Sequence, residues 1–404
     1  MITEPSTYAT VALPPDSAEQ LHARESSGRT QALFVLNSLA IGGSETKVVR
    51  VANGLVGREI TAGIAYLKAP HALRDLIQPQ VPVKHLDRRG KFSFAALRRL
   101  RSLIQGCCPE VILSVNLYPT LYMSLATMGL QKIPRRIALL NTTTLSESDR
   151  WRLSFYKPFL QRLDAIVYGC ELQRTLWRPL LDGRENSSVI YNGVDVDRFV
   201  PIDNEAERQA LRAGFGISPS AFVIGTVGRL APEKNQKVLI ETLARMRKQA
   251  VDAHLLIVGE GQLRSNLEQR VAARGLQANV TFVGMLRDVR PALASMDVFV
   301  LPSTHIETFS NAALEAMSMA KPVVLSRIGG ATEMVADGEQ GFTIEVSDLS
   351  RELPAVLERL HADPQLRAGL GHAARGRVIH QFSIQTMIDS YVSLIEAHSH
   401  SKAR

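Results

Sequence analysis

Short, largely apolar runs alternate along the chain with stretches whose apolar residues recur at helical spacing, and polar or glycine-containing turns separate the two. Apolar runs bounded by turn residues predict strands buried on both faces of a parallel sheet, and the periodic stretches predict the helices that cover it. In the first half, strands are expected at 32–37 (ALFVLN), 61–67, 81–86, 111–115 (VILSV), 136–140, 165–168 and 188–191. Helices are expected from the turn at Gly42 and Gly43 onward, over the basic stretch after 81–86, after 111–115 through 130, and over 151–163. In the second half, strands are expected at 222–227 (FVIGTV), in HLLIVG from 254, in NVTFVG from 279, at 298–301 (VFVL) and at 322–325. Charged helical segments over 349–377 and an amphipathic helix over 382–397 complete the pattern. Such alternation through 404 residues predicts an α/β protein of two doubly wound, Rossmann-like domains.

Composition changes this picture little. Hydrophobic residues make up 45% of the chain with no low-complexity tract, so each domain has material for a full core. Three cysteines, with Cys107 and Cys108 adjacent, form neither a disulfide framework nor a metal-ligand pattern and point to a reducing compartment. Residues 1–28 lack a basic start followed by an apolar core, so a loose tail is expected there and not a secretion signal. No run is long and apolar enough to span a bilayer; 111–130 comes nearest and is broken by Asn116 and Pro119.

Charge adds a question. The formal net charge is +8, and a basic cluster of Lys84, Arg88, Arg89, Lys91, Arg98, Arg99 and Arg101 is interleaved with Phe92, Phe94, Leu97, Leu100, Leu103 and Ile104. That pattern suits a surface helix with its apolar face on the core, or one that docks on anionic lipid head groups. No nucleic-acid module or series of stacking aromatics accompanies it, which argues against a nucleic-acid partner.

Candidate chemistry concentrates in 298–342. A strand, a polar loop, a helix opening near Ser310 or Asn311, a second strand and a turn at Gly329 and Gly330 make a βαβ unit. Open parallel sheets bind ligands at the carboxyl ends of their strands, and backbone N–H groups from Thr308 to Ala312 at a helix start favour a phosphate. Glu307 and Glu315 bracket that start. Glu315 is flanked by Leu314, Ala316 and Met317, and a carboxylate in apolar surroundings needs hydrogen-bond donors, such as a ribose diol. The alternative is a solvated helix carboxylate and a loop charge. After 222–227, Arg229 and Lys234 stand where a fork and a point charge can converge on a pyrophosphate, or they are two surface cations. Gly42 and Gly43, like Gly259 and Gly261, admit a ligand close to the backbone or serve a tight turn.

The string ETFSNAALEAM, followed by KPVV and GG…E…DG…GF, resembles the ExxxxxxxE signature of the retaining glycosyltransferases of family 4, which have the two-domain GT-B architecture. GRLxxEKN at 228–235 is similar to that family's donor-phosphate motif, GGSE at 42–45 to its glycine turn in the opposite domain, and YNGVDVDRF at 191–199 to its hinge. The resemblance runs over 32–397 and is most specific over 222–342. It implies transfer of a sugar from a nucleotide diphosphate sugar, a UDP-sugar being favoured, to an acceptor hydroxyl with retained configuration. Glu307, Arg229 and Lys234 would be catalytic, with Glu307 facing the sugar and Glu315 binding the ribose. Gly42, Gly43, Thr308, Phe309, Ser310 and Asn311 would complete the donor site. Neither a metal nor a cofactor is implied, so Asp195 and Asp197, which spell DxD, are read as a turn and helix start.

Two departures accompany the resemblance. The family usually has Gly-Phe-Gly after the first glutamate, where this chain has Thr308, Phe309 and Ser310. Members commonly carry an acceptor-side histidine where this chain has Asn116 and Asn141, and no histidine lies between His85 and His254. Either acceptor contacts come from Asn116 and Asn141 or from hydroxyls of Thr142, Thr143 and Thr144, or the acceptor chemistry has diverged.

The organisation expected is a flexible tail over 1–28, an acceptor domain over 29–199, a donor domain over 200–378, and a helix over 379–397 packing back on the first domain, with both domains facing a central cleft. The partners implied are a nucleotide sugar, a glycan or lipid-linked acceptor in surface polysaccharide or glycolipid synthesis, and an anionic membrane touched peripherally from the cytoplasm. Two rival readings are a non-catalytic nucleotide-sugar-binding protein and a GT-B relative such as a nucleotide-sugar epimerase.

Overall fold

The computed structural model describes residues 31–141, 147–181, 186–305 and 307–399, with the backbone only for 147–152. The tail expected at 1–28 and the hydroxyls of Thr142, Thr143 and Thr144 lie outside the described residues. Strands β1 (Ala32–Leu36), β2 (Ala62–Tyr66), β3 (Val83–His85), β4 (Val111–Val115), β5 (Arg135–Leu140), β6 (Ala165–Tyr168) and β7 (Ser187–Val189) form a seven-stranded sheet in the order β3-β2-β1-β4-β5-β6-β7. Strands β8 (Phe222–Val227), β9 (Ala253–Val258), β10 (Val280–Gly284), β11 (Val298–Leu301), β12 (Val323–Ser326) and β13 (Gly341–Ile344) form a six-stranded sheet in the order β10-β9-β8-β11-β12-β13. All strand pairings are parallel. Every residue of β1, β2, β4 and β9 is buried, which is why these strands read as apolar runs interrupted only by Ser114 and His254.

The first sheet is covered by α1 (Gly43–Val56), α2 (Phe94–Cys107), α3 (Leu117–Thr127), α4 (Glu147–Leu160) and α5 (Glu171–Trp177). The second carries α6 (Glu205–Gly214), α7 (Lys237–Lys248), α8 (Arg264–Ala273), α9 (Arg290–Ser295), α10 (Asn311–Ser318), α11 (Ala331–Met334), α12 (Leu349–Ala362) and α13 (Pro364–Gln381). The last helix, α14 (Ile384–His398), returns to the first sheet, where Met387, Tyr391, Leu394 and Ile395 share a core with Val48, Val51 and Leu55 of α1. Arg58 at the end of α1 donates to Gln385 (2.9 Å) and Asp389 (2.5 Å) of that helix.

Several boundaries differ from the sequence pattern. α3 ends at Thr127, not 130, because Gly129 takes a left-handed conformation (φ 68°) that turns the chain away. α4 begins at Glu147, ahead of 151. The break expected at 379 falls inside the last turn of α13; the chain leaves that helix at Phe382, and Ser383 caps α14 by accepting from the amide of Thr386 (3.1 Å). There the hinge holds it, since the Val194 amide donates to the Phe382 carbonyl (2.9 Å) and the Ile384 amide to the Val194 carbonyl (2.8 Å).

The basic helix α2 buries Ala96, Leu100 and Ile104, while Arg99 and Arg101 donate to the carbonyls of Leu86 (2.9 Å) and Met128 (2.6 Å). Its inward apolar face thus packs on the core, as the first of the two readings expected. Phe92, ahead of it, and Phe94, its first residue, stay 38% and 77% exposed.

Both sheets reverse strand order at one place, between β1 and β4 and between β8 and β11. Ligands of open α/β sheets lie beyond the carboxyl ends at such points. The two points face each other: a Cβ placed on Gly43, after β1, would lie 3.7 Å from the side-chain amide of Asn311, after β11.

Candidate functional site

One wall of the cleft grows from β8 and β11, neighbours in register from Val298 opposite Ile224. The Thr304 amide donates to the Glu233 carbonyl (2.8 Å), tying the two loops together. Across that junction the Lys234 amine is bonded to the Glu307 carboxylate, which also accepts from the Ser303 hydroxyl (3.1 Å). Both charged side chains are largely buried, 19% and 15% exposed. Arg229 points outward instead, 71% exposed and paired with Glu233 at 2.8 Å.

Ser310 caps α10, its hydroxyl accepting from the Ala313 amide (3.3 Å). The first N–H groups of a helix have no partner within it, and with the helix dipole they make its start attractive to anions. The loop before the cap is braced by the glycine turn: Gly329 (φ 54°) lies so close that a Cβ there would stand 2.0 Å from the Glu307 carbonyl, and the Gly330 amide donates to the Thr308 carbonyl (2.7 Å). Glu315 sits further along α10, its side chain 14% exposed. Burial raises its pKa, and Arg50 of α1, at 3.4 Å, pulls the other way.

The first domain forms the opposite wall. Gly42 precedes α1 without capping it by a side chain, and the start of α1 faces the start of α10 with the Glu45 carboxylate in its first turn bonded to its own backbone amide. The Glu45 carboxylate folds back to within 2.7 Å of where a Cβ on Gly42 would stand, and burial raises its pKa. Asn116, directly after β4, holds φ 64° and ψ 175°, a region that essentially only glycine occupies. Its side-chain oxygen accepts from the Asn141 amide (2.9 Å), while the Asn141 carbonyl accepts from the Thr308 hydroxyl of the facing domain (2.7 Å). Phe309 is buried against Tyr191 and Phe382, at centroid distances of 4.8 Å and 5.0 Å, and its carbonyl accepts from the Asn192 amide group (2.7 Å). Glu333 crosses the same seam, accepting from the amides of Glu171 (2.8 Å) and Leu172 (2.9 Å) at the start of α5 and from the Tyr191 hydroxyl (2.9 Å).

Two family models match this chain: Glycosyltransferase Family 4 over residues 41–198 and Glycosyl transferases group 1 over residues 221–363. The chain belongs to the family 4 glycosyltransferases. It is 28% identical over 375 residues, covering 91% of this chain and 96% of the relative, to the lipopolysaccharide core biosynthesis glycosyltransferase LpsE of Rhizobium meliloti. To the UDP-Gal:alpha-D-GlcNAc-diphosphoundecaprenol alpha-1,3-galactosyltransferase of Escherichia coli it is 30% identical over 210 residues, spanning 51% of this chain and 53% of that relative. The fold matches Anabaena HepE, solved in complex with UDP-glucose, with a TM-score of 0.78 at 23% identity over 91% of this chain and 99% of that one. Two parallel doubly wound sheets joined by a returning helix are thus a GT-B glycosyltransferase fold.

In this glycosyltransferase Lys234, Glu307, Ser310, Asn311, Glu315, Gly42 and Gly43 come together at the cleft. Arg229 does not join them: Glu233, one helical turn on, holds its guanidinium outward. The Phe309 ring belongs to the interdomain core, and the Thr308 hydroxyl is engaged with Asn141, so these two residues can offer the donor no more than backbone. Asn116 and Asn141 lie together but are bonded to each other. For Gly259 the structure favours the tight-turn reading, since with φ 132° a Cβ there would stand 2.0 Å from the Gly228 carbonyl. Asp195 organises the hinge turn, its side chain accepting from the amides of Asp197 (3.2 Å) and Arg198 (3.1 Å). Sequence reading missed Arg50, Asn192 and Glu333; of these Glu333, inside the GG…E string, and Asn192, inside YNGVDVDRF, carried a local signal, and Arg50 none.

Proposed function

We propose that this glycosyltransferase is retaining and metal-independent, and that it moves a sugar from a nucleotide diphosphate sugar, a UDP-sugar in the first instance, to a hydroxyl of a glycan or lipid-linked acceptor. The observation that carries this reading is the meeting of two helix starts, α1 at Gly43 and α10 at Asn311, beside the Lys234–Glu307 pair. Two positive dipole ends and a buried ammonium form a preorganised site for a diphosphate whose charge grows as the sugar leaves. On donor binding, phosphate replaces Glu307 as the partner of Lys234, which frees the Glu307 carboxylate to face the reacting carbon. The acceptor oxygen bonds to that carbon on the face the phosphate leaves; the carbon–phosphate oxygen bond breaks, and the departing phosphate takes the hydroxyl proton. Glu315 accepts from the ribose hydroxyls. Arg229 turns in from Glu233 as the diphosphate arrives.

The relatives named above include enzymes of lipopolysaccharide core and diphosphoundecaprenol-linked glycan synthesis, which supports an acceptor of that kind. No described helix is long and apolar enough to cross a membrane. Exposed Phe92 and Phe94 beside Arg89, Lys91 and Arg98 suit peripheral docking on an anionic leaflet from the cytoplasmic side.

The deciding experiment is calorimetric titration of UDP, GDP and ADP, without added metal, into wild type and Glu315→Ala. Micromolar binding of one nucleotide that is lost in the variant supports the donor site; no binding of any to wild type sinks it. Proton NMR of the anomeric centre of the product then reads retention directly, and cosedimentation with anionic vesicles reads docking.

A further inference from the structure

An ion pair crosses the cleft one helical turn along α10 from Asn311. Arg50, in the body of α1, donates to Glu315 of α10 at 3.4 Å, and its other amino group points to the Gly193 carbonyl of the hinge at 3.5 Å. The partners are 265 positions apart in sequence and stand on different domains, so the pair exists only while the cleft is closed. Neither side chain is free in water: they are 25% and 14% exposed.

We infer that Arg50 is a positioning residue for the donor, supplying the counter-charge that aims the Glu315 carboxyl at the ribose, so that tight nucleotide binding requires the first domain to be closed over the second. This rests on the reading of Glu315 as the ribose ligand. A ribose offers two neighbouring hydroxyl donors, and an ionised carboxylate presents acceptors on both oxygens, whereas a protonated one turns one oxygen into a donor. Burial favours the protonated form. Against it stand Arg50 from α1 and Arg198 from the hinge, while Asp288, after β10, adds to the burial effect. Asp288 is itself held by Arg290 at 2.5 Å, which leaves Arg50 as the principal counter-charge. Because coupling is reciprocal, whatever factor closure adds to nucleotide affinity, the nucleotide adds to closure.

The sign of the test follows. Without Arg50 the Glu315 carboxyl protonates at a higher pH than in wild type, so affinity falls off earlier as pH drops. UDP, with GDP and ADP in parallel, is titrated into wild type, Arg50→Met, Arg50→Lys and Glu315→Gln at about pH 5.5 and about pH 8, each affinity being divided by that of wild type at the same pH to cancel titration of the nucleotide. Arg50→Met is expected to bind about tenfold more weakly than wild type at the lower pH and within about threefold at the higher one. Arg50→Lys recovers most of the loss, and Glu315→Gln is weakened by a similar factor at both values. If Glu315→Gln is weakened while Arg50→Met shows the same ratio at both pH values, or none, Arg50 has no positioning role and the ribose reading stands. If Glu315→Gln binds like wild type, the ribose reading itself fails. Binding of none of the three nucleotides to wild type overturns the donor site and the inference together.

Discussion

The first and second sheets share one strand order around their reversal points and differ in what stands there. Between β8 and β11 the loops carry ions: Lys234 on Glu307, Arg229 on Glu233, and an acidic side chain on α10. Between β1 and β4 they carry Gly42, Gly43 and the strained Asn116, whose amide is bonded to the backbone at Asn141. Topology provides two equivalent crevices, and on the proposed reading the charged one carries most of the donor chemistry while Asn116 and Asn141 face the acceptor. A diphosphate gains charge during transfer and needs fixed cations; an acceptor hydroxyl is neutral and needs shape and hydrogen bonds.

That division can be broken from either side. Lys234→Ala should have the largest effect, lowering kcat/KM for the donor by about 10²–10³, the usual cost of losing one preorganised group at developing charge; initial rates at varied donor concentration measure it. Glu307→Ala should follow, lowering kcat by about 10–10² with donor affinity little altered, since its charge acts at the sugar and not on the nucleotide. A parallel loss of affinity in calorimetry would place Glu307 in ground-state binding instead. On the neutral side, Asn116→Ala and Asn116→Gly both lose the hydrogen bond to Asn141, but glycine also relieves the backbone. The glycine variant should be the more stable of the two by about 1–2 kcal/mol in denaturant unfolding. Equal stabilities would mean that the backbone at Asn116 costs nothing. Salt should separate the crevices last: donor affinity falls severalfold between about 0.05 and about 0.5 M, where the screening length contracts, while acceptor KM stays nearly constant.

The central strands were legible because burial on both faces makes them apolar runs, as in ALFVL of β1. The loop before α10 was legible because its parts are close in sequence: Ser310 caps the helix it precedes, and Gly329 closes the unit that Glu307 opens. Interdomain contacts left no such trace. Arg50 reads as one more cation on an amphipathic helix until Glu315 is brought to it, and Asn192 as a hinge turn residue until Phe309 arrives. Arg229 shows the converse: its motif identified it, while a neighbouring carboxylate, which no motif spells out, decides where the guanidinium rests. Backbone conformation at Asn116 was invisible too, because asparagine tolerates several conformations and its type does not reveal which one the β4–α3 turn demands.

The returning helix α14 has a consequence for how this protein is made. Met387, Tyr391, Leu394 and Ile395 complete the core beneath α1, yet they are translated after the entire second sheet. At ~5–20 residues per second, the ribosome takes roughly 10–40 s to pass from the end of β7 at Val189 to the start of α14 at Ile384. Throughout that interval the first domain has emerged with an open apolar groove along α1, while the second can close its own core without help. The order of completion on the ribosome is therefore the reverse of the order of synthesis, and the nascent first domain is the part of the molecule that chaperones have reason to shield.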